Sequence, residues 1–302
     1  MQKNNQALIG HLAVFGAYLI FGMNILFCKD LTNTVRIPPI LLFSIRAAGA
    51  TVLFWLTSLF TPKEKVEKKD FPQIALASFI GLFITQYFFL KIIYVSTAID
   101  VAVIGTLTPV FTMIFAAIFI GEPISGRKAG GVAISLIGAL LLIFNSVRAP
   151  GGVEHTTAFG WVGLFINVSA FAAYLGIFRP LIAKYSVVTF MKWMFLFSFV
   201  MTLPFSLHES MNFDFSIIQG KILFELGYLV ILATYVAYFL IPVAQKRLRP
   251  TIVSMYSYMQ PIIAAVVGIA VGLDTLSWLK VVSTLLVFFG VWVVNQSGAK
   301  AA

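Results

Sequence analysis

The sequence predicts an all-α integral membrane fold: ten transmembrane helices arranged as two inverted five-helix repeats around a central cavity. Three observations predict it. Of the 302 residues 60% are hydrophobic and only 11% charged, and mean hydropathy is +0.97; an ordinary soluble domain carries about 25% charged residues. Ten apolar runs approach or exceed the roughly 18–20 residues that cross a bilayer at 1.5 Å rise per residue. Finally, residues 98–145 fall on residues 250–297 without a gap. An offset of 152 lays Pro109 on Pro261, Glu122 on Asp274, Ser125 on Ser277, Lys128 on Lys280 and Gly138 on Gly290. A fixed period near half the chain length marks an internal duplication.

The runs can be taken in order: 7–28, 38–60, 72–94, 98–120, 127–145, 158–178, 187–207, 220–242, 250–272 and 275–295. They are too long, and lack the alternation, for strands of a barrel. No small-residue cleavage site follows the first run, so 7–28 is expected to be a retained helix and not a signal peptide. It closes in the polar stretch Cys28 to Asn33, and Pro38–Pro39 opens the second, where a first-turn proline loses no needed N–H. The second run carries Arg46 and Trp55. A charged loop, 61–71, precedes the third, which holds Thr85, Gln86 and Tyr87 together. Pro109 and Pro261 stand midway along the fourth and ninth. Each lacks the N–H that would serve the carbonyl four residues back, Gly105 or Ser257, so a kink or hinge is expected at both. Glu122-Pro-Ile-Ser125 opens the fifth, with Ser125 read as a helix cap and Glu122 as a charge favoured by the helix dipole. The spacings Gly126/Gly130 and Gly268/Gly272 would permit close helix approach.

Residues 146–157 are the one Pro/Gly-rich break of any length, and they fall at the midpoint. The expected division is therefore 1–148 for the first five-helix repeat, 149–157 for a linker and 158–302 for the second. An odd number of spans per half sends the second copy into the membrane upside down. Inverted repeats of this kind place a binding site near the bilayer midplane between them.

Net charge is +10. With the N-terminus inside, the cytoplasmic face collects Lys3, Lys63, Lys65, Lys68, Lys69, Arg127, Lys128, Arg179, Lys184, Lys246, Arg247, Arg249 and Lys300. The other face has Lys29, Arg36, Lys91, Arg148, Lys221 and Lys280. This asymmetry orients both termini to the cytoplasm. It gives the basic charge a membrane role and no nucleic-acid partner.

Helical spacing and the repeat together select a cavity face. Asn24 pairs with Tyr174, Tyr87 with Tyr238, and Thr108 with Gln260, while Tyr256 is the mate of Ile104. Asn24, Tyr87, Thr108, Tyr174, Tyr238, Tyr256 and Gln260 are thus the expected substrate-binding residues, with Gln86, Thr85, Trp161 and Asn167 as weaker candidates. Arg46 is the charge deepest in a span and a possible charge anchor, for a substrate carboxylate or for the protein's own carbonyls. None of the acids falls at mid-membrane, Glu225 coming nearest, so no buried acid relay is expected. His11, His155 and His208 are isolated and Cys28 is alone, giving no metal-ligand spacing. No Walker loop is present. These absences point away from an enzyme and from any metal or cofactor.

The FGMNILFCKDL end of the first run, Arg46 in the second, and TLTPVFTMIFAAIFIGEPISGRKAGGVAISLIGALLLI resemble the drug/metabolite transporter superfamily, in particular its EamA-type members. The resemblance covers nearly the whole chain. It implies an inner-membrane carrier, commonly an exporter of amino acids or other small metabolites; the partners expected are a small-molecule substrate and membrane lipid, with the chain a monomer. It also implies a ten-helix basket whose cavity is lined by spans one, three, four, six, eight and nine. Two departures stand out: VGLDTLSW replaces a usual Glu segment, and Phe21 stands where a Trp is common. Alternating access is the mechanism expected. A channel, or a membrane-embedded lipid-modifying enzyme, is the alternative.

Overall fold

The computed structural model describes residues 2–92, 95 and 96, 98–144, 156–270 and 277–297. Asp274, Gly272, Arg148, Glu154, His155, Lys300 and most of the 149–157 linker lie outside the described residues. Helix is the only regular structure among those described, and nine helices are long and apolar enough to cross a membrane. The chain runs α1 (Gln2–Lys29), α2 (Pro39–Leu59), α3 (Lys68–Ile92), α4 (98–120), α5 (Gly126–Phe144), α6 (Ala158–Ile177), α7 (Val187–Asn212) and α8 (Gly220–Gln245). It continues through α9 (250–270) to α10 (Trp278–Gln296). A short helix, Arg179–Lys184, fills the α6–α7 connection. Large apolar side chains stand outward along the bundle, Ile118 70%, Phe205 59% and Trp292 56% exposed. That arrangement suits a lipid surround, in which only helices and closed barrels satisfy their own backbone.

The helices are interrupted at matching places. α3 widens to a π-helical stretch at Phe79–Ile84 and α8 does so at Tyr228–Val236. The hydroxyl of Thr85 donates to the Ile80 carbonyl at 3.0 Å, and that of Thr234 to the Leu229 carbonyl at 2.6 Å, each reaching five residues back. α4 breaks between Gly105 and Thr108, and α9 tightens to a 3-10 turn at Tyr256–Tyr258. Both breaks lie just before the prolines. The Gly105 carbonyl that Pro109 leaves without an N–H accepts the Thr108 hydroxyl at 2.8 Å, the side-chain compensation that a proline in hydrocarbon demands.

Packing pairs the halves. α5 lies along α10, α2 along α7, α4 against α6, α1 against α9, α3 against α6 and α1 against α8. Exchanging the first five helices for the last five maps each pair onto itself or onto another in the set. Direction can be read from contacts. Gly131 faces Gly290 and Val294, the Ser135 hydroxyl donates to the Val287 carbonyl at 3.0 Å, and Gly138 faces Ser283 and Leu286. Contact numbers fall in α10 as they rise in α5, so these helices run antiparallel. Ser44 likewise meets Thr202 and Ser206 while Trp55 meets Trp193, so α2 and α7 are antiparallel too.

The glycines that permit the α5–α10 crossing are Gly131, Gly138 and Gly290, since a methyl on any of them would strike the facing helix. The spacing singled out from sequence, Gly126/Gly130, faces open space and does not mediate this contact. Glu122 is also placed differently from expectation. Gly121, at φ 67°, ends α4, and the Glu122 side chain turns to Lys128, 2.9 Å away in a buried ion pair. Ser125 does cap α5, accepting from the Lys128 N–H at 3.2 Å.

Candidate functional site

Where α1, α3, α4, α6, α8 and α9 converge they leave a cavity of about 130 Å³. It is of the order of the roughly 150 Å³ hollow that takes up a benzene molecule. α1 contributes Tyr18, Phe21 and Asn24; α3 contributes Thr85, Gln86 and Phe89; α4 contributes Val101, Gly105 and Thr108. From the second half come Leu164, Asn167, Val168 and Phe171 of α6, Tyr238 of α8, and Ser257 and Gln260 of α9. The interruptions described above border it. Asn167 Nδ2 donates to the Thr85 carbonyl at 2.6 Å, at the end of the α3 π-helical stretch. Ser257 sits in the α9 turn, and Gly105 and Thr108 flank the α4 break.

The polar lining is only partly satisfied from within. Gln86 Nε2 bonds the Tyr238 hydroxyl, which leaves Gln86 Oε1 without a hydrogen-bond partner. The Tyr18 hydroxyl and Ser257 Oγ are also without one. Buried polar atoms in native proteins are nearly always paired, so three unpaired ones around one hollow describe a surface built to be completed by a guest or by water. Among the described residues no aspartate, glutamate, lysine, arginine or histidine is in the lining.

Of the seven residues picked from sequence, Asn24, Thr108, Tyr238 and Gln260 meet in this cavity, as do the weaker candidates Thr85, Gln86 and Asn167. Tyr87, Tyr174 and Tyr256 are placed elsewhere. Tyr87 stacks on Phe83, with Lys91 Nζ 5.7 Å from its ring centre. Tyr174 is fully buried against Gly81, whose missing Cβ lets the ring approach. The Tyr256 hydroxyl bonds His11 Nδ1 at 2.8 Å. Trp161 is partly exposed and outside the lining. Tyr18 and Phe21 were not selected from sequence, although Phe21 precedes Asn24 by three residues and Tyr18 precedes Phe21 by three, so that the three span about 120° of one helix. Pro109 and Pro261 sit just beyond the breaks in α4 and α9. Arg46 lies one layer behind the wall: its Nη1 donates to Cys28 Sγ at 3.5 Å, and Cys28 Sγ is 3.7 Å from Asn24 Oδ1.

Along α1, α3 and α4 the lining lies toward the α1 C-terminus, the distal face, while Tyr238 of α8 and Ser257 of α9 line it from the opposite half of their helices, so the cavity sits near mid-depth. Toward the opposite face, where α1 begins, the helices are packed and clasped. Lys184 Nζ lies 2.6 Å from Asp70 and 2.7 Å from Glu67, Tyr185 donates to Asp70, and Glu64 accepts from the Ser186 N–H at 2.9 Å. The ammonium groups of Lys184 and Lys69 hold the Glu67 carboxyl below its ordinary range. The distal face has its own ion pair, Lys221 Nζ to Asp30 at 2.6 Å, with Glu225 3.4 Å from the same nitrogen.

The family model described as EamA-like transporter family matches twice, over residues 8–144 and 158–296. An uncharacterized transporter of Archaeoglobus fulgidus is 24% identical over 259 residues, 85% of this chain and 88% of that protein. The uncharacterized transporter YetK of Bacillus subtilis is 23% identical over 243 residues, 76% of this chain and 70% of that protein. A solved crystal structure superposes with a TM-score of 0.75 over 97% of both chains at 16% identity, a likeness of fold alone.

Proposed function

The chain belongs to the EamA-like transporter family; it is a multi-pass membrane transporter and not an enzyme, and we propose that it is a secondary carrier exporting small polar metabolites, amino acids among them, by alternating access. The observation that carries this reading is the partly unsatisfied polar cavity enclosed between two halves whose equivalent helices run antiparallel. Helices related by an axis along the membrane normal would run parallel; antiparallel mates call for an axis in the membrane plane. That relation lets one rocking motion open either face at similar energy. The doubled family match and the paired interruptions in α3 and α8, and in α4 and α9, support ten spans in two inverted copies.

The clasped face is the one that carries the N-terminus, which the Lys and Arg distribution assigns to the cytoplasm of an inner membrane. Asn24, Gln86, Thr108, Tyr238 and Gln260 hold the solute by hydrogen bonds, and Phe21, Phe89 and Phe171 cover its apolar part. The lining without acids or bases suits a net-neutral or dipolar solute. The test is counterflow in liposomes: an amino-acid panel loaded inside should accelerate uptake of labelled amino acid with saturation. Ohmic conductance without trans-stimulation would assign the chain to channels instead.

A further inference from the structure

Among the described residues Arg46 is a cation without an anion. Its side chain is 1% exposed, seven residues into α2. Nε donates to Thr234 Oγ1 at 2.9 Å, Nη1 to Cys28 Sγ at 3.5 Å, and Nη2 has no partner. No aspartate or glutamate among the described residues lies within ion-pair distance of it. Guanidinium stays charged in any protein environment, and an ion out of water without a counter-charge is costly to hold. Inside membrane spans such groups mark substrate or ion pathways.

Its two partners say where it sits. Cys28 is one helical turn from Asn24 on α1, and Thr234 is one turn from Tyr238 on α8, each on the same face as the cavity residue. Both steps lead toward the distal face. The guanidinium therefore stands about one turn, roughly 5.4 Å, beyond Asn24 and Tyr238 toward the distal face, with Nη2 unpaired and only a neutral hydroxyl and thiol against it among the described residues. Thiol is a weak acceptor, easily displaced by a better one. Planar carboxylate matches the fork in two parallel bonds.

We propose that Arg46 is the counter-charge for a carboxylate on the transported solute, which replaces Cys28 at the guanidinium. This rests on the carrier reading and adds the chemical class of the solute's charged end. A dipolar amino acid or a small monocarboxylate fits; its amide does not.

The experiment measures thermal unfolding of the full-length protein in detergent, at constant ionic strength. The probes are acetate, benzoate and L-phenylalanine, each against its carboxamide, with inorganic phosphate as a further anion. The expected result is that at least one carboxylate raises the unfolding temperature at concentrations at which its amide does not, and that R46Q abolishes the difference. R46K, which keeps the charge and loses the fork, should retain the preference with at least tenfold weaker affinity; it decides the matter if R46Q does not fold. Equal shifts from acid and amide, no shift from any carboxylate, a carboxylate shift unchanged in either variant, or a phosphate shift larger than every carboxylate's would each overturn the proposal. Carboxylate binding that depends on Arg46 without counterflow in liposomes would leave this site standing and sink the carrier reading. Counterflow without carboxylate preference would do the reverse.

Discussion

Substituting Gly290 by alanine tests the antiparallel α5–α10 crossing on which the relation between the halves depends. A Cβ at residue 290 would stand 2.2 Å from Ser135 Oγ and 2.4 Å from the Gly131 carbonyl oxygen, where ordinary contacts begin near 3.4 Å. The serine hydroxyl can rotate away. The backbone oxygen cannot, so the helices must part by about 1 Å along this seam. Overpacking of this kind costs about 1–3 kcal/mol, and loss of the Ser135–Val287 hydrogen bond adds about 0.5–1.5 kcal/mol. The better helix propensity of alanine offsets up to about 1 kcal/mol. A net loss of about 1–3 kcal/mol is expected, seen as a fall of several degrees in the midpoint at which the detergent-solubilised protein loses its monodisperse elution peak. Gly130→Ala is the control, since a methyl there meets nothing, and it should be neutral or slightly stabilising. Adding Ser135→Gly to Gly290→Ala should recover only part of the loss. A neutral Gly290→Ala, or a Gly130→Ala variant as damaged as Gly290→Ala, would refute the assigned crossing.

Four further outcomes are expected. Gly81→Ala drives a methyl to 2.5 Å from the Tyr174 ring, and should lower the unfolding midpoint by an amount that Tyr174→Leu partly restores. Gln86→Ala removes the bond to Tyr238 and an unpaired acceptor, and should raise the half-saturating solute concentration in counterflow at least fivefold with folding intact; an unchanged value would remove Gln86 from the site. Pro261→Ala restores an N–H to α9, and should slow exchange while equilibrium binding in detergent stays within twofold; equal losses in both would show the proline to be structural only. For Glu67 the sign follows from its depressed folded value: its contribution to stability is full above the ordinary glutamate pKa and fades as pH falls through the lower folded one. Lys184→Gln should therefore flatten the decline in unfolding midpoint between about pH 5 and pH 3, and an unaltered decline would contradict the assignment.

Much of this was written into the sequence by periodicity. Apolar length marks the spans, and the 152-residue offset anticipates which helices become mates. Helical spacing from Asn24, Thr108 and Gln260 finds the cavity face because those polar residues stand out in an apolar background. Tyr87 and Tyr174 were drawn in by the same logic and sit elsewhere, since an aromatic ring is equally at home packed against a glycine or another ring. Tyr18 and Ser257 were passed over because a hydroxyl in a span ordinarily finds a carbonyl on its own helix, and only three-dimensional placement shows that these two do not. The π-helical stretches in α3 and α8 have no composition of their own. The glycines that let α5 touch α10 cannot be told by spacing from Gly126 and Gly130, which meet nothing.

The ion pairs on the two faces have a consequence for how such a machine is set. Lys221 is displaced by 151 residues from Asp70, so the same place in the duplicated plan carries a base in one copy and an acid in the other. Each meets an opposite charge from the connection after the first helix of the other half, at 2.6 Å on either face. Two fasteners of equal reach and reversed polarity therefore tie the two halves together at both faces. Under the alternating-access reading proposed above, editing residue 70 or 221 shifts the balance between the two faces by no more than the roughly 1 kcal/mol that a solvent-exposed pair is worth, leaving the chamber that recognises the cargo untouched.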